Sequence, residues 1–79
     1  MTTVAGVLLV TRPGAAPRVA ARLAGTRGLS FAGGDGDARI AAVWEGEDGA
    51  ALEALAERLL ESDPELLGVY PTFVGDDEG

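Results

Sequence analysis

The stretch Val4-Ala5-Gly6-Val7-Leu8-Leu9-Val10-Thr11-Arg12-Pro13-Gly14 decides the fold. Its almost continuous apolar run is too short for a typical helix, and Pro13-Gly14 ends it, so Val4 to Val10 reads as a buried strand. A strand covered on one face alternates apolar with polar, and this one does not. Both its faces are therefore shielded to some degree, which places it centrally in a sheet.

Ala16 to Ala24 sets Ala16, Val19, Ala20 and Leu23 on one side at helical spacing, with Arg18 and Arg22 on the other. Pro17 suits a first helical turn, and Gly25 follows the last periodic residue as a C-terminal cap. Gly28 to Ala32 alternates and runs into Gly33-Gly34-Asp35-Gly36-Asp37, the strongest turn signal in the chain. Arg39 to Glu45 then places Ile40, Ala42 and Trp44 on one face and Arg39, Ala41, Val43 and Glu45 on the other, so these two strands form a hairpin. Asp48 caps a second helix, in which Leu52, Leu55 and Leu59 recur at helical spacing and Glu53, Glu57 and Glu61 line the solvent edge. Asp63-Pro64 breaks that helix near Ser62. Val69 to Val74 is a last short strand, sent to a sheet edge by Pro71, which has no N–H for a ladder.

The order is β-α-β-β-α-β. With right-handed crossovers it predicts an α+β, ferredoxin-like fold: a four-stranded antiparallel sheet with both helices on one face and the first and third strands central. Residues 1–75 form that single domain, and the acidic residues 76–79 are expected to be a disordered tail.

Composition removes most chemistry. A chain of 79 residues has room for one core. It contains no His or Cys, and all six of its Lys/Arg positions are arginine; Asn and Gln are also absent. That excludes imidazole and thiol catalysis, zinc and iron–sulfur sites, disulfides and a lysine Schiff base. No enzymatic activity, metal or cofactor is expected. The net charge of −7 and an isoelectric point near 4.2 disfavour nucleic acid and anionic membranes as partners. No apolar run is long enough for a membrane span, and no secretory leader pattern is seen, so the expected location is the cytoplasm. Charge is unevenly spread: residues 1–44 carry five arginines against two aspartates, a balance of +3, whereas residues 45–79 carry one arginine against eleven acids, a balance of −10. Such a run reads as a solvated acidic helix and tail, or as a surface that attracts a cationic peptide.

The glycines at 33, 34 and 36 do not make a phosphate loop, because that loop must open into a helix and this one opens into a strand. Asp35 with Asp37, and Asp76 with Asp77, lack the spaced ligand series of a calcium loop. More informative is the sheet face left bare by the helices, which should be polar if it merely meets water. The first strand offers it apolar residues in either phase, Val4, Leu8 and Val10 or Ala5, Val7 and Leu9, and the third strand adds Ala41 and Val43. Small domains seldom expose a large apolar patch unused, so a peptide, another domain or a second copy in a homodimer is expected to cover it.

The chain resembles the NapD family, small cytoplasmic chaperones for assembly of periplasmic nitrate reductase. The resemblance spans Gly6 to Asp77. It lies in the apolar strand ending at Arg12-Pro13, the Val19/Leu23 helix leading to Arg27-Gly28-Leu29, the hairpin Gly36-Asp37-Ala38-Arg39-Ile40 rising to Trp44-Glu45-Gly46, the helix from Asp48, and Leu67-Gly68-Val69 entering the last strand. It implies a chaperone that binds the twin-arginine signal peptide of a molybdenum-cofactor reductase and holds back its export until the cofactor is loaded. That family uses the open sheet face, so the peptide-binding residues implied here are Val7, Leu9, Ala41 and Val43, with Arg39 and Glu45 at the margins. Arg12-Pro13-Gly14, between a strand and a helix, is also similar to a motif of regulatory ACT domains, which share the element order. They supply the alternative of a small-molecule-binding or dimerisation domain.

Overall fold

A computed structural model describes residues 2–77 as β1 (Thr2–Thr11), α1 (Ala16–Leu23), β2 (Leu29–Gly34), β3 (Arg39–Gly46), α2 (Gly49–Ser62) and β4 (Leu66–Asp77). The strands form one antiparallel sheet in the order β2-β3-β1-β4. The apolar strand is thus central and the proline-bearing strand lies at an edge. Ala5, Val7 and Leu9 of β1 pair with Trp44, Ala42 and Ile40 of β3, and all six are buried. They share one core with Val19 and Leu23 of α1 and Leu52 and Leu59 of α2, so both helices cover the same side of the sheet. This is the ferredoxin-like α+β arrangement.

Local chemistry explains the helix ends. The Asp48 carboxylate accepts a hydrogen bond from the Ala51 N–H at 2.9 Å and starts α2. α1 has no side-chain cap of its own at Ala15. It borrows Asp37 from the β2–β3 turn, whose carbonyl accepts from the Ala16 N–H at 2.9 Å and whose carboxylate accepts from the Gly14 N–H. The turn itself is held by Asp35, which accepts from the backbone N–H groups of Asp37, Ala38 and Arg39 at 2.9 to 3.0 Å. These donors, the Asp37 N–H foremost, hold its carboxyl below the usual range.

Three details differ from the sequence reading. The left-handed glycine after α1 is Gly28, with φ of +81°, and not Gly25. A Cβ at Gly28 would stand 2.5 Å from the Glu45 carbonyl oxygen, at the point where β2 closes on β3. The glycine cluster is partly strand: Gly33 and Gly34 extend β2 past a register shift after Phe31. Finally, β4 is long. Asp76 and Asp77 pair with Thr3 and Thr2, so the strand runs into the expected tail, because an edge ladder uses backbone groups and tolerates acidic side chains. Glu78 and Gly79 lie outside the described residues.

Candidate functional site

The helix-free face of the sheet is built from the alternate residues of the same strands. From β3 it takes Arg39, Ala41, Val43 and Glu45, all exposed, as their phase predicts. From β1 it takes Val4, Leu8 and Val10, which are half-buried and pair with Glu45, Ala41 and Arg39 respectively. Val7 and Leu9 do not belong to it. They are only 3% and 0% exposed and lie under the helices, in register with Ala42 and Ile40. Their assignment to the open face is corrected by one residue of phase, since a slip of one reverses every side chain of a strand. Nothing within the run distinguishes the phases: it is apolar in both and bounded by Thr2 and Thr3 on one side and Thr11 on the other.

Tyr70 of β4 joins the open side. It pairs with Leu8 and is 55% exposed. A Cβ on Gly68 would fall within 3 Å of the Tyr70 ring, so the ring lies back along β4 over that glycine, which is buried beneath it. A side chain at position 68 would lift the aromatic off the sheet. The resulting surface has an apolar centre of Leu8, Val43 and Tyr70, with Arg39 at one end of β3 and Glu45 at the other. Neither charge is in an ion pair among the described residues.

Much of the acidic half is used elsewhere. Glu53, Glu57 and Glu61 lie on α2, in the layer on the opposite side of the sheet. Asp63 and Glu65 are bound by α1: Arg22 bridges both, at 2.8 and 2.9 Å, and Arg18 reaches Glu65 at 2.7 Å. The Arg22 hydrogen bonds outweigh burial and hold the Asp63 carboxyl below its ordinary range. Hydrogen bonds from Arg18 and then Arg22 bring Glu65 down to about 2. This cluster fastens α1 to the α2–β4 turn. Sequence reasoning missed it because its members lie more than 40 positions apart.

The Arg12-Pro13-Gly14 turn is occupied by the chain itself. Arg12 N–H donates to the Glu65 carbonyl at 2.9 Å and Gly14 N–H to Asp37. On the helix side a cleft of about 570 Å³ sets Arg27 and Arg58 beside Glu61 and is open to solvent. Among the described residues no group of three or more acids gathers where it could hold a metal ion, and no helix is long and apolar enough to cross a membrane. The open face is therefore the candidate site, and it offers binding chemistry: an apolar strip with opposite charges at its ends. No family model, curated protein or solved structure matches the chain.

Proposed function

We propose that this protein is a cytoplasmic chaperone of the NapD type, which binds the twin-arginine signal peptide of a molybdenum-cofactor reductase, such as nitrate reductase, before export. The observation that carries the reading is the open face, apolar at Leu8, Val43 and Tyr70 and acidic at one end through Glu45. A twin-arginine leader has the complementary pattern, two adjacent cations followed by an apolar stretch. Its arginines sit toward Glu45, and its apolar stretch runs over Val43 and Leu8 toward the Arg39 end. Arg39 repels the reversed orientation, so the charges set direction while the apolar strip supplies most of the affinity. The chain binds rather than catalyses, in keeping with its lack of His, Cys and Lys.

Calorimetric titration tests this reading. A leader peptide carrying the Arg-Arg pair should bind saturably, and the same peptide with both arginines replaced by alanine should bind more weakly. Saturable heat from a free amino acid, with none from the leader, would replace the chaperone by an ACT-like regulator.

A further inference from the structure

The same face has a property that a peptide does not require. Arg39 and Glu45 are on one side of one central strand, six residues apart, which puts them roughly 20 Å from each other with only apolar side chains between. A surface positive at one end and negative at the other, with an apolar centre, is complementary to itself. We propose that, when no peptide is bound, the open face is closed by a second copy of this chain, stacked sheet on sheet about a two-fold axis that lies between the sheets and runs across the strands.

Symmetry selects this axis. Rotation about a line across the strands reverses β3 along its length, so Arg39 of each copy stands over Glu45 of the other and Val43 meets the region of Ala41. Rotation about a line along the strands brings both Arg39 residues to one end and both Glu45 residues to the other. Like-charge juxtaposition rejects that packing. The size of the face sets the strength. Four strands about 4.8 Å apart and about 20 Å long cover roughly 400 Å² per copy, or about 800 Å² in total, at the low end of specific interfaces. The dimer is accordingly weak, forming at high concentration and dissociating on dilution. Such a cover hides the apolar strip from unintended partners and yields it to a leader. The inference shares with the chaperone reading the premise that this face is an interaction surface. Its test is made without peptide, so a monomer overturns the dimer alone, and a leader that fails to bind overturns the chaperone alone.

Sedimentation equilibrium across a concentration series is the experiment. The wild-type mass should rise toward twice the monomer value as concentration increases. Arg39→Glu and Glu45→Arg should each raise the dimer dissociation constant about tenfold or more, and the double exchange should return it to within about threefold of wild type. Far-UV circular dichroism identifies the folded variants. A chain that stays monomeric up to millimolar concentration, a dimer indifferent to both single exchanges, or a folded double variant that does not recover would each overturn the proposal.

Discussion

Arg22 grips Asp63 with two hydrogen bonds, Nε to Oδ2 at 3.0 Å and Nη2 to Oδ1 at 2.8 Å, and the carboxylate so held is only 4% exposed. Asp63 also ends α2, donating its N–H to the Leu59 carbonyl at 3.0 Å. The same residue therefore terminates one helix and anchors the other. Arg22→Ala leaves this buried carboxylate without its guanidinium and should lower the thermal midpoint by several degrees. Arg18→Ala, which removes only an exposed contact to Glu65, should lower it less. Differential scanning calorimetry of the two variants checks the order.

The cluster also fixes an acid response. Asp63 and Glu65 are held below their ordinary ranges, Glu65 from 4.5 to about 2. Groups depressed in the folded state contribute stability that is complete above their unfolded values, near 4, and that disappears as pH falls through the folded ones. Urea midpoints should be flat from pH 7 to about 5 in this respect and then fall toward pH 2. The fall should be shallower in Arg18→Ala/Arg22→Ala, whose carboxyls titrate nearer their ordinary values.

The phase of β1 is checked by neighbouring leucines. Leu9 is fully buried in the core, so Leu9→Ala should cost about 2–5 kcal/mol in chemical denaturation. Leu8 is half-buried on the other face, and Leu8→Ala should cost less than about 1.5 kcal/mol while weakening leader binding.

On β3 the same contrast separates folding from binding. Val43→Glu places its charge in water in the dilute monomer, but under a bound apolar stretch that charge is desolvated without a partner. Affinity for the leader should drop roughly tenfold to a hundredfold, corresponding to about 1–3 kcal/mol, with little change in melting temperature. Ile40→Glu, in the core at 4% exposure, should prevent folding. Unchanged affinity in folded Val43→Glu would remove the peptide from this face.

Gly28→Ala should destabilise by about 1–3 kcal/mol, because it combines a left-handed backbone with a Cβ driven against the Glu45 carbonyl. Gly25→Ala, at a position with no such conformation and no neighbour in the way, should be neutral or mildly stabilising. Equal losses for the two would overturn the assignment of the left-handed turn to Gly28.

Local signals carried most of this architecture. Pro71 needs an edge, Trp44 follows the phase of Ile40 and Ala42, and Asp48 precedes a periodic leucine run; each of these depends on neighbours within a few residues. The phase of β1 did not reduce to such a signal. A continuous apolar run is compatible with either face inward, and only pairing with β3, about 35 residues away, chooses Val7 and Leu9 for the core. The sequence places Arg18 and Arg22 on the non-apolar side of α1 without naming their partners, because Asp63 and Glu65 arrive through tertiary folding. The extent of β4 depends on backbone pairing with Thr2 and Thr3, which acidic side chains at the end of the chain do not announce.

The chain has a single tryptophan and a single tyrosine, and the sheet separates them. Trp44 is sealed beneath the helices at 4% exposure, while Tyr70 lies on the open side at 55%. The wild-type protein therefore contains two intrinsic optical reporters with different duties. Indole emission follows unfolding of the helix layer, phenol emission responds to whatever settles on the bare face, and the two can be recorded from one unlabelled sample.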